Sequence, residues 1–277
     1  MDFSLRYKLA SMNSALKNTP AIAICTALLF SVVAPASAKI IARDYEYRSD
    51  GKTFQGYIAY DDRFTGKRPG VLVAHQWKGL GAYEKERARQ LAQMGYVAFC
   101  VDVYGKGIRP TAAKDAGAQA GKYKGDRALL KRRAVAGFTV LKNFRLTNPN
   151  KTAAIGYCFG GATVLELARS GANVGGVISY HGTLDTPRPA EARNIKGKVL
   201  VLHGASDPLS DWKEIAAIND EMTKAKVDFE INLYGHAVHS FTEKKAGNNP
   251  ASGVAYNEKA DRRSWEKTKA FFNEIFR

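Results

Sequence analysis

Six short apolar runs punctuate the chain, at Gly70–Ala74, Tyr96–Val103, Thr152–Tyr157, Val174–Tyr180, Val199–His203 and Phe229–Tyr234. Each is of strand length and continuous rather than alternating, the pattern of a strand covered on both faces. Longer stretches with helical spacing separate them: Tyr83–Met94, Asp126–Phe144, Ala162–Ser170, Asp211–Ala225 and Glu258–Phe276. Such alternation predicts an α/β fold with a mostly parallel central sheet and helices on both faces. Ahead of it, Arg43–Tyr60 alternates around Ser49-Asp50-Gly51-Lys52, which predicts an N-terminal antiparallel hairpin. Gly105–Gly125, rich in Gly, Ala and Lys, reads as an irregular loop or lid over the carboxyl edge of the sheet, where ligands of open α/β sheets bind.

The first 38 residues have a different character. Arg6, Lys8 and Lys17 precede an apolar run from Ala21 to Ala34, followed by Ala36-Ser37-Ala38. A basic segment, a short apolar segment and small residues spaced A-x-A mark a secretory signal peptide. Residues 1–38 are therefore expected to be removed, with 39–277 folding as one domain and the product exported to the periplasm or the cell exterior. The apolar run is shorter than the ~20 residues a membrane span needs, so no span is expected after cleavage.

The formal charge is +16, and the leader holds only three of the 42 basic and one of the 26 acidic residues. This balance favours anionic surfaces or substrates by long-range attraction. The basic residues are scattered, with a modest cluster at Lys131, Arg132 and Arg133, and no nucleic-acid-binding motif accompanies them; no nucleic-acid partner is expected. Cys25 lies in the leader, which leaves Cys100 and Cys158, too few for a disulfide-built exported domain. No metal-ligand spacing occurs, so neither a metal nor another cofactor is expected.

Chemistry concentrates at Ile155-Gly156-Tyr157-Cys158-Phe159-Gly160-Gly161, which closes one strand and opens a helix. A nucleophile on so sharp a turn needs small neighbours, because the backbone is strained and the helix packs close to the sheet. The helix N-terminus also favours an anion at Cys158 and offers a donor to a developing oxyanion. Two later segments supply partners in the order nucleophile, acid, base. Asp207, in His203-Gly204-Ala205-Ser206-Asp207-Pro208, could fix a histidine tautomer. In the loop Gly235-His236-Ala237-Val238-His239, spacing alone leaves His236 and His239 both open as the base. His203 and His75 end apolar strands and read as packing or loop-shaping residues.

Together these segments, with His75–Gly79, Tyr96–Gly105 and His239–Phe241, resemble the dienelactone hydrolase family of the α/β-hydrolase superfamily. The resemblance implies a Cys158, Asp207 and His239 triad, which selects His239 over His236, and an oxyanion hole made by the backbone N–H groups of Trp77 and Phe159. It implies cleavage of a small ester or lactone through an acyl-enzyme. Two positions depart from the family pattern. Gln76 stands where members often carry a glutamate that engages the resting thiol, and an amide cannot take the thiol proton. After His239, where dienelactone-cleaving members tend to place an arginine for the substrate carboxylate, this chain has Thr242, Glu243 and Lys244. Dienelactone itself is therefore not the expected substrate, and Lys106 or Arg109 are the alternative anion contacts. Gln76 is expected to shape the site. Acyl transfer or thiol redox chemistry on the same fold, and a non-catalytic basic binding module with a decayed site, are the competing readings.

Overall fold

The computed structural model describes residues 39–277, so the expected leader lies outside the described residues. In chain order the elements are β1 (Ile40–Ser49), β2 (Lys52–Asp61), β3 (Arg68–Ala74), α1 (Ala82–Gln93), β4 (Val97–Val101), α2 (Ala113–Gly125), α3 (Arg127–Asn143), β5 (Thr147–Tyr157), α4 (Phe159–Arg169), β6 (Gly176–Tyr180), β7 (Lys198–Gly204), α5 (Trp212–Lys224), β8 (Phe229–Tyr234) and α6 (Glu258–Ile275). They form one eight-stranded sheet in the order β1-β2-β4-β3-β5-β6-β7-β8. The β1–β2 hairpin is antiparallel, β2 meets β4 antiparallel, and the remaining pairs are parallel.

The continuous apolar strands serve two cores at once. In β3, Leu72 and Ala74 face one cluster while Val71 and Val73 face the other; in β4, Phe99 and Val101 face the first and Ala98 and Cys100 the second. The first core is closed by α3, α4 and α5 through Leu130, Phe138, Leu165, Ile218 and Met222. The second is closed by α1 and α6 through Leu91, Phe271 and Phe272. Each fully buried large side chain contributes roughly 1.5–3 kcal/mol, so neither face can be left uncovered.

Part of the stretch expected to be irregular is helical. Only Gly105–Ala112 lacks regular structure, and Ala113–Gly125 forms α2. Gly117, Gly121 and Gly125 argue against a helix on propensity, but Ala116, Ala120 and Tyr123 share one side and are buried. Tyr123 stacks on Tyr104 at 5.3 Å between ring centroids and donates a hydrogen bond to its carbonyl. Burial of that side outweighs the propensity cost. Two boundaries also differ: β5 begins at Thr147 rather than Thr152, past a register irregularity at Pro69/Gly70, and α4 begins at Phe159 rather than Ala162.

A buried ion cluster ties the helix after Cys158 to the helix after Asp207. At the end of α4, Arg169 is fully buried and donates through Nε and Nη2 to the two carboxylate oxygens of Glu221 on α5, at 2.7 and 2.8 Å, and through Nη1 to Glu166 at 3.1 Å. Removing one partner of such a group strands the others without compensation. Arg169→Ala is expected to destabilise the protein by about 3–5 kcal/mol, read as a lower urea midpoint at unchanged m-value.

Candidate active site

The turn between β5 and α4 is held against two strands by contacts that tolerate no side chain. A Cβ on Gly156 would lie 2.0 Å from the Gly160 carbonyl oxygen, and one on Gly160 would lie 2.3 Å from the Ala74 carbonyl oxygen on β3. This packing forces Cys158 into φ 55°, ψ −117°, a region L-residues rarely occupy. The Cys158 N–H donates to the Tyr180 carbonyl at the end of β6. The thiol-bearing residue is half-buried rather than closed in the core.

Asp207 sits in the loop after β7 with its side chain fully buried. Its Oδ1 accepts from the Leu209 N–H at 2.9 Å, and its Oδ2 lies 2.9 Å from His239 Nδ1. An ionised carboxylate only accepts, so Nδ1 carries the proton and Nε2 is the free nitrogen of the neutral ring. Nε2 is buried and has no partner at hydrogen-bonding geometry among the described residues; Cys158 is the titratable group beside it. Burial alone would discharge this imidazole, but the Asp207 hydrogen bond and the adjacent Cys158 outweigh it and raise the pKa to about 10. The His239 backbone is clamped too: its N–H donates to Gly253 and its carbonyl accepts from Ala255. His236 lies exposed in the turn after β8 with φ 63°.

The loop after β3 is the third side of the site. The Gln76 carbonyl accepts from the Gly79 N–H at 3.1 Å and from His75 Nδ1 at 2.6 Å, while the Trp77 carbonyl accepts from Tyr104 Oη at 2.8 Å. The Trp77 N–H has no acceptor among the described residues, and the Phe159 N–H opens α4 ahead of its first intrahelical acceptor. Gln76 donates its N–H to Glu84 Oε1 at 3.1 Å and its side-chain amide to Glu243 Oε2 at 2.8 Å. A cleft of about 940 Å³ opens here, lined by Gln76, Trp77, Ser240, Thr242 and Glu243 among others. Its lining includes Ser240, next to His239 in the chain, but not Cys158, Asp207 or His239, so the cleft does not enclose the thiol.

Lys106 and Arg109, the expected alternative anion contacts, each have partners within the chain. Lys106 pairs with Glu46 on β1. Arg109 bonds Asp102 at 3.2 Å and the carbonyls of Leu80, Gly105, Ile108 and Gln55, which makes it a brace for the loop after β4. Cys100 is fully buried in the second core, with its Sγ donating to the Glu84 carbonyl, whereas Cys158 packs against the first; both are free thiols.

Sequence reasoning gave no role to His181. It directly follows β6, sits with its ring 5.2 Å from that of His239, and places Nε2 2.8 Å from Thr242 Oγ1, which in turn meets Tyr83 Oη at 2.6 Å. Burial, reinforced by His239 and His203, holds its pKa well below the ordinary imidazole value. Its position directly after an apolar strand, beside the strand bearing Cys158, was the available signal.

Known proteins similar to this chain place it in a family. A solved structure described as a dienelactone hydrolase-like promiscuous phosphotriesterase, P91, from metagenomic libraries is 38% identical, with a TM-score of 0.81 over 86% of this chain and 99% of its own. A second, m3DLH, is 36% identical with a TM-score of 0.83 over the same shares. The carboxymethylenebutenolidase of Pseudomonas putida is 24% identical over 211 residues, 74% of this chain and 88% of its own. The model of the dienelactone hydrolase family matches residues 54–276, and the chain therefore belongs to that family of carboxylic ester hydrolases acting on small esters and lactones.

Proposed function

We propose that the protein cleaves a small ester or lactone by covalent catalysis, with Cys158 as nucleophile, His239 as acid and base, and Asp207 as the group that orients and charges His239. The observation that carries this reading is the buried Asp207–His239 hydrogen bond, which leaves Nε2 beside a half-buried cysteine on a strained turn. Such a constellation of nucleophile, base and orienting acid is recognised by geometry rather than by sequence position.

In the proposed cycle the thiolate attacks the carbonyl carbon while the proton resides on His239. The oxyanion accepts from the N–H groups of Trp77 and Phe159, donors that need not reorganise as charge develops. Collapse breaks the C–O bond, and His239 gives its proton to the departing alkoxide. Neutral His239 then takes a proton from water, the hydroxide attacks the thioester, and the carboxylic acid leaves as the thiolate–imidazolium pair re-forms. Gln76 cannot accept the thiol proton, so activation falls to His239. Cys100 is buried on the opposite face of the sheet, which gives a Cys100–Cys158 redox pair no support.

Cys158→Ala and Cys158→Ser are each expected to lower kcat on small aryl esters by roughly 1,000-fold or more, the scale seen when a member of a catalytic unit is removed. Undiminished turnover by the alanine variant refutes the proposal. The His239 pKa of about 10 fixes the sign of the pH response. The imidazolium is present below that value and is lost as pH rises through it, so kcat/KM for an alkyl ester, whose leaving group needs the proton, should fall near pH 10. Asp207→Asn removes a bond that favours the charged ring and should move this alkaline limb toward the ordinary imidazole range near ~6.5.

We also propose that the protein is exported, on the strength of the basic segment, the apolar run and Ala36-Ser37-Ala38. N-terminal sequencing after expression in a bacterial host should begin at Lys39, and a retained Met1 in the exported fraction would overturn it.

A further inference from the structure

The Gln76–Glu243 hydrogen bond joins the two loops that flank Cys158. Gln76 immediately precedes Trp77, Glu243 follows His239 by four residues, and both line the cleft. The bond orients the Glu243 carboxylate without neutralising it, because an amide donor carries no charge.

No described cation compensates that carboxylate. Arg87, on the same cleft, is taken up by Asp261 at 2.7 Å, the Thr242 carbonyl and Tyr83 Oη. Arg89 pairs with Glu86 at 3.6 Å, and Lys78 lies over the Trp77 ring, exposed. Lys244 and Lys245 are exposed on the short helical turn that follows. Behind Gln76, a second carboxylate, Glu84, is buried and accepts only backbone N–H groups. The cleft thus holds two carboxylates in its wall, Glu84 buried and Glu243 half-buried, while its basic groups are paired or exposed.

We propose that Glu243, oriented by Gln76, is a specificity-determining residue that selects substrates carrying a cationic group close to the reacting carbonyl and disfavours those carrying a carboxylate. The proposal rests on the reading of Cys158 as a reactive thiol in the substrate site. A cationic substrate supplies the missing counter-charge; an anionic one meets like charge. At separations of ~4–6 Å near a protein surface, such a charge changes rates or affinities by about tenfold or more. The preference would run against the +16 charge of the whole chain, which makes it a local property of the cleft.

Two measurements on the full-length protein test it. In the first, Cys158 is modified with methanethiosulfonates bearing a trimethylammonium, a neutral or a sulfonate group. The thiolate attacks the sulfenyl sulfur, the S–S bond forms as the S–SO2 bond breaks, and methanesulfinate leaves; intact mass counts adducts, with Cys158→Ala as the background from Cys25 and Cys100. The cation-to-anion rate ratio is expected to fall about tenfold in Glu243→Gln and further, below that of the neutral reagent, in Glu243→Lys. In the second, kcat/KM is compared for matched esters whose alcohol carries trimethylammonium, tert-butyl or carboxylate groups, with the same ordering and the same response to both variants. A ratio unchanged in both variants overturns the proposal even where every ester is hydrolysed. A Glu243-dependent labelling ratio in a protein that hydrolyses none of the esters supports the charge selection and refutes the hydrolytic reading. A Cys158 that no reagent labels overturns both.

Discussion

The approach of the α4 N-terminus to the carboxyl ends of β3 and β6 is the constraint from which the site follows. With the Gly160 backbone this close to Ala74, and Gly156 this close to Gly160, the chain can leave β5 only through a positive φ at Cys158. The turn then presents the side chain at the open edge of the sheet rather than in either core. It also leaves the first N–H of α4 without an acceptor, beside the place where a carbonyl would react. Backbone strain of this kind persists only where the surroundings over-determine it, and here two strands, a helix and the Cys158–Tyr180 hydrogen bond do so.

Around that turn the buried histidines His239, His203 and His181 carry different charges for legible reasons. His239 has Asp207 on one nitrogen and Cys158 beside the other, and its charged form is favoured despite burial. His203 and His181 are buried without that pairing, and both are held below the ordinary imidazole value by desolvation first. His203 donates Nε2 to the Ser210 carbonyl and sits 3.8 Å from Asp207 without taking its bond. A single imidazolium is thereby placed beside the thiol, and its neighbours stay neutral and act as packing.

Much of the fold could be read from the residues because periodicity reports burial directly. The hairpin, the apolar strands and the turn at Cys158 are local features, carried by Asp50-Gly51, by Val97–Val101 and by Gly156 and Gly160. What escaped depends on contacts between distant segments. Helix α2 is stabilised by Tyr123 against Tyr104, which its glycine-rich composition does not show. Arg109 looks available in a loop, yet Asp102 and four carbonyls hold it. The clamp of Gly253 and Ala255 on His239, and the neighbourhood of His181, join residues that only the tertiary fold brings together. The same holds for Gln76 and Glu243, separately unusual in sequence and hydrogen-bonded in space.

The Arg169 cluster and the Glu243 carboxylate respond differently to the medium. Salt weakens interactions between solvent-exposed charges over about 10 Å at 0.1 M and acts far less on buried ones. Arg169, Glu166 and Glu221 are buried, so the spacing between the helix after Cys158 and the helix after Asp207 is insulated from ionic strength. The cleft lined by Gln76 and Glu243 is open to solvent. Ions can therefore retune which molecules approach the thiol while the alignment beneath it stays fixed.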